Sequence, residues 1–456
     1  MFIKKIKSDG IAHLSYLIGS GKSAAVIDPR RDVDIYIVEA QKEGAAIKYI
    51  FETHRNEDYV VGSKELALRT GAQILHGKAL DFKYGKGVSD GDKFDLGSMA
   101  LAIMETPGHT FESISIVIYD KEIGDKAVGV FTGDALFIGD VGRSDFFPSE
   151  AEKVAGLLYD SITEKIFPLG EEVLLYPAHG AGSVCGSGMS SREFSTLGLE
   201  KKYNPLFQKS REEFIQYKSK EHHYLPPYFK KMEDYNQNGA PILHNTPVPE
   251  SVTVDKFENY IKNGMIAIDV RSPEAYAGVH IPGTISLPLN MIPVFAGWLL
   301  PYDQDLGIIV ENASEIQEAV THLIRLGYDQ IRAVLIKGVQ RWEVSGREYN
   351  YIPNIHVNTL KKRIETNESF TLLDVRSKEE FESGHLPNAL NIYVGELPAR
   401  LDEIPPARPI TAFCGSGRRA IIAASILKNN GIKDVENCFG SMEACTATKC
   451  EKLITK

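Results

Sequence analysis

Residues 266–289 read IAIDVRSPEAYAGVHIPGTISLPL, and residues 371–394 read TLLDVRSKEEFESGHLPNALNIYV. Asp269 aligns with Asp374 and His280 with His385, each pair 105 residues apart (374 − 269, 385 − 280). One unit of about 100 residues therefore occurs twice, over 246–350 and 351–456; a period this long implies two complete small domains and not a solenoid. Each copy reads as strand, helix, short loop, strand, then a further strand and helix. In the second copy PITAFC (409–414) is a short apolar strand, CGSGRR (414–419) a glycine-bearing loop, and AIIAASILKNNG (420–431) an amphipathic helix closed by Gly431. Strands alternating with helices argue for parallel α/β sheets.

Outside the repeat, residues 1–195 alternate apolar strands with glycine-rich turns: LSYLIG, AAVIDPR, MALAIMET, AVGVFTGDALF and EVLLYPAHG. Helical patterns fall between them, in VDIYIVEAQKEG and EDYVVGSKELALRTG. The stretch 196–245, polar, aromatic and rich in Lys and Glu, reads as one or two exposed helices and a linker. The expected domains are thus 1–245, 246–350 and 351–456.

The whole chain, 456 residues with 43% apolar and 25% charged content, has the composition of an ordinary globular protein. A net charge of −10 with no basic block leaves no footprint for nucleic acid. No apolar run approaches the roughly 18 residues of a membrane span. The N-terminus reads as a first strand and not a signal peptide. Five cysteines (185, 414, 438, 445, 450) are too few and too scattered for a disulfide framework and fit a reducing cytoplasm. A homo-oligomer is expected.

Four short stretches present His or Asp beside small residues at strand ends: ETHRNEDY (52–59), TPGHT (106–110), TGDALF (132–137) and YPAHG (176–180). A metal site is assembled from distant parts of a chain in this way. Together, in this order, the four resemble the metallo-β-lactamase fold over about residues 1–240, an αββα sandwich. The hydrolases of that fold carry T-H-x-H-x-D-H and two zinc ions. Here Asn56 and Tyr59 replace the second and third histidines. By that correspondence one metal position keeps His54, His109 and Asp134. The other keeps Asp58, His179 and a shared Asp134.

Two histidines and one carboxylate form the facial triad of non-haem Fe(II) oxygenases, which leaves three positions open for O₂ and substrate. The domain is similar to persulfide dioxygenases, and the resemblance implies a mononuclear Fe(II) held by His54, His109 and Asp134; zinc is the alternative. Asp58 and His179 are expected to support that centre through hydrogen bonds. Arg143, in GRSDF, is a candidate for gripping a substrate carboxylate. Cys185, in SVCGSG, is a candidate second thiol near the mouth of the site.

In the third domain Cys414 opens the loop Cys414-Gly415-Ser416-Gly417-Arg418-Arg419 between a strand and a helix. The helix N-terminus and successive loop N–H groups stabilise a thiolate or a bound persulfide anion. The pattern C-x-x-G-x-R, with D-V-R and G-H-x-P upstream, resembles a rhodanese domain, which implies Cys414 as nucleophile, Arg419 beside it, and Gly415, Ser416, Gly417 and Arg418 around the substrate. A protein phosphatase would need arginine at position 420, which is Ala420. The middle copy has no cysteine there, and Glu311 falls near the expected nucleophile, so it reads as an inactive rhodanese-like domain. Asp269, Arg271 and His280 recur as Asp374, Arg376 and His385 and are expected to be structural. Cys438, Cys445 and Cys450 lack C-x-x-C spacing and are expected to pack, one of them at most resolving a Cys414 persulfide.

The resemblance over the whole chain is to persulfide dioxygenase–rhodanese fusions. It implies oxidation of a low-molecular-weight persulfide by O₂ to sulfite, and sulfur transfer through Cys414 with sulfite and thiosulfate as partners. The alternatives are a zinc hydrolase of the glyoxalase II type fused to a sulfurtransferase, and a non-catalytic sulfur carrier or sensor.

Overall fold

The computed structural model describes residues 1–186, 188–221, 223–405, 409–448 and 454–455, so Cys450 lies outside the described residues. The chain forms two compact units. The first comprises Met1–Thr246 with Ile324–Gly327, and the second Pro247–Leu323 with Tyr328–Lys456.

The first unit is built on two sheets. One orders its six strands Phe2–Ser8, His13–Ser20, Ser23–Ile27, Ala46–Glu52, Gln73–Gly77 and Lys86–Val88. The other runs Leu174–Pro177, Ala127–Gly133, Ile114–Asp120, Met99–Glu105 and Lys93–Leu96. Alternation along Met99–Glu105 buries Met99, Leu101 and Ile103 on one face. These meet Tyr16, Ile18, Ile27, Phe51 and Leu75 of the facing sheet in one core. The outer face of the first sheet is covered by the helix Asp34–Lys42 through Tyr36 and Ala40, and by Ser63–Thr70 through Leu66. The outer face of the second is covered by the helix Ala151–Asp160 through Leu158, with Phe214 of the helix Arg211–Lys218. The expected αββα sandwich is the observed one.

Two local expectations fail. The helical pattern read over 57–71 gives a helix only from Ser63; Glu57–Val60 form a buried loop. Nor is 196–245 a pair of exposed helices and a linker. It forms Leu197–Tyr203, Arg211–Lys218 and Phe229–Asn238, and the last is stitched to the 54–61 loop. There the buried Asn236 amide donates to the carbonyls of Asn56 and Tyr59 at 2.7 Å each and accepts from Val61 N at 3.0 Å. A polar sequence hides this role because one amide side chain performs it.

The second unit contains two five-stranded parallel sheets of the same order. They are Glu250–Ser251, Ile331–Ile336, Leu306–Val310, Ile266–Asp269, Ile285–Ser286, and Asn354–Ile355, Val435–Cys438, Ile410–Phe413, Thr371–Asp374, Leu390–Asn391. In each copy a buried arginine grips the aspartate two residues before it, Arg271 on Asp269 and Arg376 on Asp374. Each also donates to a loop carbonyl, of Val279 and Gly384 respectively. The repeat histidines stack on aromatic rings at 4.0 Å, His280 on Tyr276 and His385 on Phe381. These residues brace the strand-to-helix loop in both copies.

Strand register corrects the position of the lost nucleophile. Asp374 pairs with Phe413 and Asp269 with Ile309, so the residue matching Cys414 is the buried Val310, and Glu311 is the next one. The offset here is 104 residues (414 − 310), one fewer than in the rest of the repeat. A valine has no thiol, so the middle copy carries no sulfur at the position of Cys414. Among the described residues no helix is long and apolar enough to cross a membrane.

Asn236→Ala leaves two buried carbonyls and one N–H unpaired, so it should lower the stability of the first unit by on the order of 3 kcal/mol. A downward shift of that unit's calorimetric transition, with the second unit's transition unmoved, is the expected outcome.

Candidate functional site

Each of the four expected loops follows a strand of the first unit. The strand Ala46–Glu52 delivers His54, Met99–Glu105 delivers His109, Ala127–Gly133 delivers Asp134, and Leu174–Pro177 delivers His179. All four side chains are buried. Asp134 Oδ2 stands 3.8 Å from His54 Nε2 and 3.6 Å from His109 Nε2. The His54 and His109 rings lie 5.0 Å apart and nearly perpendicular. The three ligand-type atoms are within 4.8 Å of one another, and none has a hydrogen-bond partner. Buried polar atoms are otherwise paired as a rule. Three that converge without partners have the donor set and spacing of a cation site, and His54, His109 and Asp134 are the residues that would hold the ion.

The far side of each ligand is tied down. Thr53 Oγ1 donates to Asp28 at 2.7 Å, so it accepts from His54 Nδ1 at 2.9 Å, which leaves the Nε2 lone pair free. His109 Nδ1 donates to the Arg143 carbonyl at 2.9 Å, with the same result. His179 Nδ1 donates to Asp134 Oδ1 at 2.7 Å and turns Oδ2 toward the two imidazoles. Such outer contacts set tautomer and ring orientation in metal sites. Gly133 permits the approach: its φ is +53°, and a Cβ there would lie 2.7 Å from Thr53 Oγ1.

Electrostatics follow the geometry. Burial alone would raise the Asp134 carboxyl, but His179, His54 and His109 hold it well below the usual carboxylate range. Burial pushes His54 down to about 3, the neutral form a ligand requires. His109 is raised against burial by Glu57 and Asp134.

Glu57 was not singled out from the sequence. It is buried, neither carboxylate oxygen has a hydrogen-bond partner, and Oε2 is 3.5 Å from His109 Nε2. Its only signal is membership of the polar run Asn56-Glu57-Asp58, which reads equally well as a solvated loop. Asn56, in place of an imidazole, donates to the His54 carbonyl at 3.2 Å and braces that loop.

Arg143 is buried, and its guanidinium is paired with both oxygens of Asp145 at 2.6 Å, with further donation to the carbonyls of Val184 and Tyr224. A substrate carboxylate would have to displace Asp145 to use it. Its backbone carbonyl, holding His109, is the contact it makes with the centre. Cys185 is buried and not at a mouth; it lies with Asp58 and His179. A cavity of about 680 Å³ is lined by Lys5, His13, Tyr16, Tyr176, His179 and Phe194, among others, but not by His54, His109 or Asp134.

In the second unit Cys414 is buried at the end of the strand Ile410–Phe413, one turn before the helix Arg418–Asn429. Its Sγ accepts from Gly417 N at 3.1 Å, and Gly417 adopts φ +94° to make that turn. Ser441 Oγ accepts from Cys414 N at 3.1 Å. Arg419 is fixed by two bonds to Glu380, at 2.6 and 2.7 Å, and its Nη2 would stand 3.4 Å from a Cβ on Gly415. Glu380 also closes a capping box with Ser377. The loop from Gly415 to Arg419 therefore surrounds the sulfur with a backbone N–H, a helix N-terminus and one positioned cation. Arg418 instead is exposed and lines a cleft of about 310 Å³ with Glu274, Asn290 and Glu318 of the middle copy. Cys438 and Cys445 are buried in the packing of the helix Val357–Glu365 against the sheet.

Residues 9–179 match the metallo-β-lactamase superfamily, and residues 253–345 and 356–448 each match the rhodanese-like domain. The persulfide dioxygenase ETHE1, mitochondrial, of Homo sapiens is 33% identical over 205 residues, 44% of this chain and 74% of that protein. The putative sulfur carrier protein YrkF of Bacillus subtilis is 36% identical over 104 residues, 23% of this chain and 56% of that protein. The crystal structure of a metallo-β-lactamase from Staphylococcus aureus superposes with a TM-score of 0.67 at 32% identity, over 74% of this chain and 99% of that one.

Thr53→Val keeps the shape but removes the acceptor that orients His54. It should weaken metal binding by about 10–100-fold, read by competition of the metal-loaded protein with a chelator.

Proposed function

The chain belongs to the persulfide dioxygenase branch of the metallo-β-lactamase superfamily, with two rhodanese-like domains fused behind it, and on that premise we propose that it is a bifunctional enzyme of sulfide oxidation. In the first unit a low-molecular-weight thiol persulfide is oxidised by O₂ to sulfite. In the third domain sulfane sulfur passes through Cys414, with thiosulfate as product or substrate. The observation that carries the reading is the set of three buried, unpartnered atoms, His54 Nε2, His109 Nε2 and Asp134 Oδ2, that converge on one point.

Two neutral imidazoles and one carboxylate suit Fe(II); when bound, the ion supplies open positions at which O₂ and the outer sulfur of an anionic persulfide are brought together. The chain's own contribution is to fix that arrangement. Asp134 offers a single oxygen because His179 occupies the other. His54 and His109 are locked as Nε2 donors by Thr53 and by the Arg143 carbonyl. One carboxylate against a divalent ion leaves one net positive charge, which favours an anionic ligand. In the overall balance the outer sulfur loses four electrons to O₂. Sulfite takes two oxygens from O₂ and one from water, and the thiol leaves with a proton.

Sulfur transfer needs no metal. The Cys414 thiolate attacks the outer sulfur of a donor persulfide or thiosulfate; the donor's S–S bond breaks and its thiol or sulfite departs. The resulting persulfide anion remains in the N–H cradle around Gly417 until an acceptor takes its outer sulfur. Arg419, held by Glu380, balances the charge. A cytoplasmic setting and assembly into a homo-oligomer belong to the same proposal. Carrying both sites on one chain raises the effective concentration of the shared intermediate.

His109→Ala should abolish oxygen uptake on persulfides and iron retention while thiosulfate:cyanide sulfurtransfer persists. Cys414→Ser should do the reverse. An anaerobically purified chain that carries zinc, takes up no O₂ and hydrolyses thioesters would overturn the dioxygenase reading.

A further inference from the structure

Glu57 lies in the loop that follows His54, and the backbone on each side of it is held. The carbonyls of Asn56 and Tyr59 accept from the Asn236 amide at 2.7 Å each. Arg55 N donates to Glu112 at 2.9 Å, and the Asn56 side chain turns back to the His54 carbonyl. The Glu57 carboxylate, in contrast, is held by nothing. The residue is fully buried, and neither oxygen makes a hydrogen bond. Arg55, the cation nearest in sequence, is engaged by Glu233 at 3.2 Å. A buried carboxylate with both oxygens unmatched is costly unless something satisfies it.

What stands beside it is the first centre. Glu57 Oε2 is 3.5 Å from His109 Nε2, no farther than Asp134 Oδ2, at 3.6 Å. Adjacent donors on an octahedral ion with bonds of about 2.1 Å are about 3 Å apart, so both carboxylates are near that spacing. Glu57 is outside the triplet of His54, His109 and Asp134, whose ligand atoms lie within 4.8 Å of one another, and adjoins it at His109. We propose that Glu57 is an exchangeable fourth ligand of the cation held by His54, His109 and Asp134. Its carboxylate turns in to fill one of the three positions that the triad leaves open, and an anionic substrate has to displace it. The inference rests on a divalent ion at that centre.

Charge gives the reason. Asp134 and two neutral imidazoles leave a divalent ion with one net positive charge in a buried place, where uncompensated charge is expensive. Glu57 supplies the missing negative charge, so the loaded site is neutral until substrate arrives. A persulfide anion brings the same charge, and protein and substrate then compete for one position. Two positions remain beside Glu57 when it is bound. The clamps on the loop make the exchange a motion of one side chain: with Asn56 and Tyr59 fixed by Asn236, Glu57 turns without carrying His54 along.

The competing arrangement is an ion pair between Glu57 and a protonated His109, which Glu57 and Asp134 favour against burial. Titration of the metal-free, full-length chain with Mn²⁺, an ion suited to nitrogen and oxygen donors, separates the two. Water ligands are counted from the broadening of the Mn²⁺ EPR signal in ¹⁷O-enriched water. The equivalent lost in His109→Ala marks the first centre. There the wild type is expected to hold two water ligands and Glu57→Gln, which keeps the shape, three. Glu57→Gln should also bind Mn²⁺ at least about tenfold more weakly, and azide should bind its Mn²⁺-loaded form more tightly than the wild type's. Three water ligands in the wild type would overturn the proposal. So would a Glu57→Gln chain that binds Mn²⁺ as tightly as the wild type or more tightly, the outcome that the ion pair predicts. If His109→Ala loses no Mn²⁺, the metal reading itself falls and takes this inference with it, a result distinct from either of those.

Discussion

The Asp134 carboxylate stands between three imidazoles with no solvent beside it. A buried anion is tolerable only when surrounding groups take up its charge and its lone pairs. Here one oxygen is satisfied by His179 and the other faces His54 and His109, so the first unit's sheets must deliver four loops to a single point. The sandwich accomplishes this because those loops all leave its strands at one edge. Asp28, Thr53, Gly133, Arg143 and Asn236 make sense as consequences: each holds a loop or a ring in the position that this carboxylate requires.

The third domain solves a related problem by another route. Its reactive sulfur must also tolerate negative charge away from water, but the compensation comes from the backbone. Gly417 turns its N–H onto Cys414 Sγ, the following helix points its N-terminus the same way, and Arg419 is fixed by Glu380 so that it neither swings out nor collapses onto the sulfur. The middle copy retains the frame and lacks the sulfur. Its Asp269–Arg271 pair and stacked His280 are as well formed as those of the third domain, though Val310 ends the strand. Brace and thiol loop are therefore separable in this fold: both copies keep the brace, and only the third domain keeps the thiol.

What could be read in the sequence was whatever repeats or clusters locally. The D-V-R and G-H pairs exposed the duplication, and four loops with His or Asp beside small residues marked the side chains that gather around Asp134. Residues whose role comes from burial by something distant were not legible. Glu57 looks like any loop acid until the helix Phe229–Asn238 clamps its neighbours through Asn236. Arg143 looked available for substrate because its pairing with Asp145 depends on a turn that the pattern does not specify. The constant 105-residue offset points to Ile309; that the middle copy has one residue more before its matching position, Val310, shows only in the strand partner of Asp269.

The contacts between the two repeat copies have a practical meaning. Ser425 and Asn429, on the helix that follows Cys414, bond to Ser286 N and the Thr284 carbonyl of the inactive copy, and Trp298 meets Tyr393 edge-on. The middle copy thus serves as a wall for the third domain. Excising the sulfurtransferase at residue 351 would strip that wall and bare an apolar helix flank. A fragment begun at Pro247 instead of residue 351 would keep both copies and the contacts between them.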